Sequence, residues 1–309
     1  MTAETINLDE LLPLIGYSTD TTRGCMEYVS LCQQAEGTPF GSTVGVWFGT
    51  PEKAANLTQR AGLNLWFGVN ALRSVERGRG KADDVTRLAA LIADLDIKKG
   101  GCPDLETAFA IITAMSKVLG QEPVVVTHSG HGLQPYWAVE VESGRALLAG
   151  SNDQAKRLGK RFHALLDKIA ADHGCGVDST FDLPRVLRVP GSVNYKDPEN
   201  PVPVRCFATG GKPLTVEQIT AALDAAGIPE EPKTRGSSKK QQPRGVCVLR
   251  GKSASYRRVI LRSIISEPTS TGMAASKRGA AGRRCHDGGH SATLALISAG
   301  VSLLLKGGR

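Results

Sequence analysis

The chain has 309 residues, 41% hydrophobic and 22% charged, which excludes a wholly disordered protein and predicts one large or two ordinary folded domains. Its net charge of +8 is unevenly distributed, because residues 232–309 contain sixteen Lys or Arg against two acids, whereas residues 1–231 carry 22 basic and 28 acidic side chains. The lack of a long apolar stretch argues against a membrane protein, and seven scattered cysteines favour reduced thiols in a cytoplasmic compartment.

Hydrophobic periodicity predicts the elements in chain order. The first half contains a helix over 7–35, strands over 41–49 and 63–70, a short helix over 82–87, and a strand over 88–96. The second half contains a helix over 104–119, strands over 124–127 and 136–139, a helix over 153–172, a strand over 185–189 and a helix over 215–227. This alternation predicts an α/β or α+β protein with one mixed sheet.

Composition also predicts the domain boundaries. Residues 1–228 read as the folded domain, and 229–252 as a basic linker rich in Pro, Gly, Ser and Lys. Residues 253–309 read as a basic, partly helical C-terminal segment, with helices expected over 253–266 and 291–305. Such a basic region can bind nucleic acid through its phosphates, although a disordered tail or the remnant of a longer domain has the same composition.

Two carboxylates at a strand end, Asp94 and Asp96, are the most informative residues. Because side chains alternate along a strand, both point to one face and Leu95 points to the other. Neighbouring carboxylates repel each other, and a divalent cation such as Mg²⁺ relieves that repulsion by binding through them. The pair therefore indicates metal-dependent phosphoryl or nucleotidyl transfer, and a solvated strand end is the simple alternative.

Three further segments carry side chains suited to the same chemistry. Ser129-Gly130-His131 follows an apolar strand, and its hydroxyl and imidazole can hold phosphate oxygens, although a tight turn with a surface histidine is the simpler interpretation of this segment taken alone. A third carboxylate can come from Asp178 or Asp182, after the predicted helix over 153–172. The next segment offers cations for a triphosphate or a template backbone at Arg185, Arg188 and Lys196.

The order of these segments resembles the archaeo-eukaryotic primase superfamily, and more narrowly the bifunctional DNA primase/polymerases of phages, plasmids and integrated elements. That family carries Asp-x-Asp/Glu, then Ser-x-His, then a hydrophobic residue followed by Asp. Here these motifs match Asp94-Leu95-Asp96, Ser129-Gly130-His131 and Val177-Asp178. The resemblance covers residues 40–210 of the chain.

The resemblance implies an RRM-like catalytic sheet joined to a smaller α/β unit, with the basic C-terminal tail beyond it. It implies template-directed nucleotidyl transfer that makes and extends primers on single-stranded DNA from nucleoside triphosphates, with Mg²⁺ or Mn²⁺ in a two-metal site. Asp94, Asp96 and Asp178 would bind the metals, with Asp182 as the alternative third carboxylate. The nucleotide would be bound by Ser129, His131, Arg185, Arg188 and Lys196.

The same resemblance implies a setting and partners. The protein would act in the cytosol of a bacterium or of a phage-infected host, beside a replicative helicase encoded separately. A non-catalytic replication-initiation or single-strand-binding protein on the same fold is the main alternative, although binding alone does not require the carboxylates. A nicking initiator needs a His-hydrophobic-His pair, and His128-Ser129-Gly130-His131 lacks that spacing.

Overall fold

Two six-stranded antiparallel sheets, a two-stranded ladder and five helices make up the part of the chain that the computed structural model describes, an α+β arrangement. The described residues are 4–17, 27–35, 44–48, 59–73, 79–231 and 260. All of them belong to one unit, residues 1–268, whereas a second unit, 269–309, lies outside them. The basic linker beyond residue 231 and the predicted helices over 253–266 and 291–305 also lie outside them, apart from Ile260.

The elements have the following bounds. The helices are α1 (Leu8–Leu14), α2 (Leu105–Leu119), α3 (Val141–Ala146), α4 (Asp153–Asp172) and α5 (Val216–Ala225). Sheet A has the order β1 (Thr5–Ile6), β14 (Arg205–Ala208), β9 (Val125–His128), β10 (Gly132–Ala138) and β7 (Ala90–Ile92), and β8 (Leu95–Asp96) also pairs with β10. Sheet B has the order β11 (Val186–Arg188), β4 (Asn64–Gly68), β2 (Tyr28–Gln34), β5 (Ala71–Leu72) and β6 (Val85–Arg87), and β3 (Val44–Phe48) pairs with β2. The ladder joins β12 (Val193–Asn194) to β13 (Val202–Pro203).

Sheet A is the middle layer, because its two faces belong to different hydrophobic cores. Trp137 on β10 packs in the core formed with α2, α4 and α5, and its ring lies edge-on to Phe162 at 5.6 Å. The adjacent residue, Tyr136, faces sheet B and stacks on Phe67 of β4 at 6.4 Å. Every residue of β10 is therefore buried, as expected for a strand that is covered on both faces.

Sequence patterning predicts the long helices correctly. Asp104 caps α2 by accepting a hydrogen bond from the Thr107 backbone N–H at 2.7 Å, and Gly120 ends the helix in the left-handed conformation. A capping box begins α5, with Thr215 and Gln218 bonded to each other's backbone N–H. Helix α4 spans 153–172 as predicted.

The predicted helix over 7–35 is wrong in its second half, where the chain forms strand β2 after the short helix α1. Four consecutive residues from Val29 to Cys32 are buried. A strand covered on both faces loses the alternation that marks a half-buried strand, so periodicity alone does not separate it from a helix. The predicted helix over 82–87 is likewise a single 3-10 turn at Ala82–Asp84 followed by β6.

Four cysteines lie in the described residues, and all are buried free thiols, as expected for small core residues: Cys32, Cys102, Cys175 and Cys206. Ile260 is also buried in the core beneath α2, α4 and α5, although the sequence places it in the C-terminal segment. No helix in the described ranges is long and apolar enough to cross a bilayer.

Candidate active site

Strands β7 and β8, with Asp94 between them, pair with β10 in a single register. The pairing is broken opposite Pro135 of β10. Ile92 pairs with Tyr136 and Leu95 with Leu133, so Asp94 lies opposite Gln134 and Ala93 lies opposite Pro135. Proline has no backbone N–H to donate, which accounts for the gap between β7 and β8. Leu95 is buried and the two aspartates are partly exposed, as strand alternation predicts.

Asp94, Asp96 and Asp178 form the acidic cluster of the site. Burial, together with the negative charges of Asp96 and Asp178, raises the pKa of the Asp94 carboxyl to about 6. Two contributions oppose this rise: the Gln134 side chain, whose Nε2 donates a hydrogen bond to Asp94 Oδ1 at 3.1 Å, and the smaller effect of the Arg185 charge. Asp178 comes from the segment after α4, 82 positions beyond Asp96 in the chain, so the tertiary fold creates the cluster.

Lys98 links two members of the acidic cluster. Its Nζ lies 3.0 Å from Asp96 Oδ2 and 2.5 Å from Asp178 Oδ2. The loop that carries Lys98 also contacts the segment before Asp178, because the Gly176 backbone N–H donates to Gly100 O at 3.2 Å. An ammonium group therefore neutralises part of the negative charge at the position where Asp96 and Asp178 meet.

Asp182, the alternative third carboxylate, lies in a different charge environment. Its Oδ2 is 3.2 Å from Arg79 Nη1, and its other oxygen pairs with Arg185. Two guanidinium groups thus compensate Asp182, whereas Asp178 shares one lysine with Asp96. Arg185 pairs with Asp182 and also donates to Ser179 O, so it is placed to hold this segment in position.

The Ser-x-His turn lies directly beside the acidic cluster. Gly132 pairs with Asp96, and the Ile97 backbone N–H donates to His131 O at 2.7 Å. The approach is so close that a Cβ on Gly132 would lie 2.8 Å from the Cα of Asp96, which only glycine permits. The sheet register therefore brings the Asp-x-Asp and Ser-x-His segments together.

The two polar side chains of this turn differ in what they contact. Ser129 is buried, and its backbone N–H and Oγ both donate to Gly132 O, at 3.0 and 3.4 Å, so its hydroxyl stabilises the turn. Burial and the charges of Lys196 and Arg188 lower the pKa of His131. Its Nε2 is buried without a hydrogen-bond partner among the described residues, so one imidazole nitrogen beside the acidic cluster has an unused hydrogen-bonding capacity.

His131, Arg188 and Lys196 form the basic cluster, and sheet B and the ladder position its cations. The Arg188 guanidinium donates to Asn64 Oδ1 and lies 4.2 Å from the centre of the Trp66 ring, so it is held rigidly. Lys196 is exposed and follows β12. Asn194 of β12 donates to Ser129 O at 2.6 Å and thereby ties this segment to the Ser-x-His turn.

Sequence reasoning did not assign roles to three residues that shape the site, Lys98, Gln134 and Asn194. A signal existed for Lys98, since it lies two positions after Asp96 and would share its face if the strand continued. Gln134 bonds Asp94 across the sheet, 40 positions away in the chain, and Asn194 bonds Ser129, 65 positions away. Nothing local in the sequence distinguishes them from other amides.

The acidic cluster offers carboxylate oxygens as donors for a divalent cation. Carboxylate oxygens are the ligands that Mg²⁺ and Mn²⁺ prefer, and Lys98 already supplies a positive charge between two of them. In the described ranges, no three His, Cys, Asp or Glu side chains are grouped as a metal site. The donor chemistry fits such a cation, with Lys98 in contact with two of the three carboxylates.

Comparison of the chain with protein-family models, curated proteins and solved structures finds no match.

Acid should destabilise the protein through His128, on β9 next to the Ser-x-His turn. Burial and the charge of Arg205 lower the pKa of His128 to about 4, against about 6.5 in an unfolded chain. Between pH 6.5 and 4 the unfolded chain binds more protons at this position, so stability falls as pH falls, by up to about 3 kcal/mol. We expect His128→Gln to make the free energy of unfolding, measured by urea denaturation, depend less on pH between pH 6.5 and 4. An unchanged pH dependence would show that His128 is not the group responsible.

Proposed function

We propose that the chain is a primase-polymerase that transfers nucleotides onto a growing primer on a single-stranded DNA template. One observation carries the proposal: the pairing of Gly132 with Asp96 sets the Ser-x-His turn against the Asp-x-Asp strand, beside Asp178. An acidic cluster next to a basic one meets the needs of nucleotidyl transfer, in which cations and triphosphate must be held together.

The path of sheet A supports an RRM-like catalytic sheet within this proposal. The chain runs through strand, helix, strand, strand, helix and strand, in β7/β8, α2, β9, β10, α4 and β14. The edge position of the carboxylate strand departs from the RRM arrangement, in which the first strand lies inside the sheet. Sheet B with α1 would be the smaller α/β unit.

The residues of the two clusters would have distinct roles. Asp94, Asp96 and Asp178 would hold Mg²⁺ or Mn²⁺, and a bound cation would activate the attacking 3′ hydroxyl and neutralise charge on the triphosphate. His131, Arg188 and Lys196 would bind and orient the phosphates, with Ser129 keeping the turn in shape. Arg185 would position the segment that carries Asp178 through its bonds to Asp182 and Ser179.

A non-catalytic single-strand-binding or replication-initiation protein on the same fold is the second candidate. The observation in its favour is that Lys98 already pairs with Asp96 and Asp178, so these carboxylates have a cation without any metal. The basic cluster would serve phosphate binding in either function. A metal-dependent activity separates the two candidates.

Primer synthesis on single-stranded DNA tests the proposal. With labelled nucleoside triphosphates and Mg²⁺ or Mn²⁺, we expect short products from the wild type and none from Asp96→Asn or from Asp94→Ala/Asp96→Ala. Asp172→Asn is the matched control, because it makes the same change at an exposed position at the end of α4. Near-normal synthesis by Asp96→Asn would remove the metal assignment, and no product with either metal on several templates would favour the binding protein.

A further inference from the structure

We propose that the Lys98 side chain is a displaceable counter-ion, which holds a cation position between Asp96 and Asp178 until a divalent metal takes its place. The inference rests on the proposed function and extends it to the way in which the site is loaded. Its basis is the position of Nζ, 3.0 Å from Asp96 Oδ2 and 2.5 Å from Asp178 Oδ2. Within the described ranges, Lys98 is the ion-pair partner of both Asp96 and Asp178.

The acidic cluster needs a positive charge when no metal is bound. Asp94 is largely buried, and Asp96 and Asp178 both act on it as like charges. Its own hydrogen bond comes from the neutral amide of Gln134, and the nearby Arg185 is paired with Asp182. Lys98 therefore supplies the cation that lets Asp96 and Asp178 lie close together, since unpaired carboxylates repel each other strongly at short range.

The geometry of the loop allows the ammonium to leave without moving the backbone. Two hydrogen bonds close the turn after Lys98, from its own N–H to Cys102 O at 3.3 Å and from Gly101 N–H to Lys98 O at 2.9 Å. The Cys102 N–H also donates to Asp96 O at 2.9 Å. The side chain itself is 43% exposed, so its four torsions can carry the ammonium into water, where it is strongly hydrated.

A divalent cation has the advantage in this exchange. Ion pairs of an exposed lysine are weak, because the ammonium gives up hydration and side-chain freedom to make them. A divalent ion carries twice the charge and bonds the carboxylate oxygens directly. Lys98 thus preforms the site but competes with the metal for it. Removing the Lys98 charge should lower the dissociation constant of the metal by about tenfold, as expected for the loss of one nearby cation at a partly exposed site.

Direct titration of Mn²⁺ into the full-length protein, without nucleotide or DNA, tests the inference. Calorimetry and the electron paramagnetic resonance signal of free Mn²⁺ both report the dissociation constant without reference to activity. The variants are Lys98→Gln and Lys98→Met, so that a folding defect in one does not decide the result. Lys99→Gln is the matched control, because it removes the same charge from the next residue, which is also exposed.

Dissociation constants about tenfold lower for both Lys98 variants, with Lys99→Gln within about twofold of the wild type, would support displacement. Unchanged or weaker Mn²⁺ binding in the Lys98 variants would overturn it, because Lys98 would then be a permanent partner that holds the carboxylates in place. That result leaves the proposed function standing if the wild type binds Mn²⁺. Failure of the wild type and all variants to bind Mn²⁺ overturns both proposals.

Discussion

Asp178→Asn should reduce primer synthesis by about three orders of magnitude while the protein stays folded. The carboxylate belongs to the acidic cluster and would supply a metal ligand, and such ligands contribute several kcal/mol of transition-state stabilisation. The Asp178 side chain is 57% exposed, so the amide fits without repacking. The measurement is the rate of nucleotide incorporation at saturating Mg²⁺ or Mn²⁺, with circular dichroism melting to confirm the fold.

Asp182→Asn is the matched control for that experiment, four positions further along the chain. Its carboxylate pairs with Arg79 and Arg185, so the substitution should cost about 1 kcal/mol of stability, reduced by its partial exposure. Incorporation should stay within about fivefold of the wild type, because the roughly 1 kcal/mol lost from these two partly exposed ion pairs corresponds to less than a tenfold change in rate. The opposite pattern, an inactive Asp182→Asn and an active Asp178→Asn, would make Asp182 the third carboxylate.

Arg87→Met should have the largest effect on stability, about 3–5 kcal/mol. The Arg87 side chain is fully buried, and it donates to Glu27 through Nε at 2.9 Å and through Nη2 at 2.7 Å. Its Nη1 donates to Ile15 O at 3.0 Å, and its guanidinium lies 4.8 Å from the Tyr17 ring. Removing Arg87 leaves the largely buried Glu27 carboxylate with the more exposed Arg145 as its ion-pair partner and takes a donor from the Ile15 carbonyl, which is costly.

Chemical denaturation followed by circular dichroism measures that loss. Arg145→Gln is the control, because Arg145 also pairs with Glu27, at 2.9 Å, but is 36% exposed. We expect it to cost about 1 kcal/mol or less. If the free energy of unfolding of Arg87→Met lies within about 1 kcal/mol of the wild-type value, the ion pair between Arg87 and Glu27 contributes little. The packing of α1 against sheet B would then provide the stability.

Local sequence signals were sufficient where one helix or one turn decides the structure. Helix α2 begins at its Asp104 cap and ends before Gly120, and the Thr215 capping box starts α5, because these side chains satisfy backbone groups three or four residues away. The amphipathic period of α4 was also sufficient, since one face of that helix packs on sheet A and the other is solvated.

Local signals failed where burial on two faces or an unusual residue conceals a strand. Strand β2 is buried at four consecutive positions, so its hydrophobic pattern predicts a helix in place of the strand. Strand β10 begins at Gly132 and continues through Pro135, residues that argue against a strand, so the sequence predicts only its end near Tyr136. Pairing with β8 and β9 stabilises it in spite of these residues.

The sequence by itself determined that Asp94 and Asp96 share a face of the extended segment that pairs with β10, because the two-residue period of extended backbone requires it. It also placed Ser129 and His131 in a glycine-containing turn after a buried strand. The choice of partners was decided only by the tertiary structure: Asp178 meets Asp96 through Lys98, whereas Asp182 pairs with Arg79 and Arg185. These contacts join segments 80 and 103 positions apart. Coulombic attraction depends on distance in space, and sheet register and core packing set that distance.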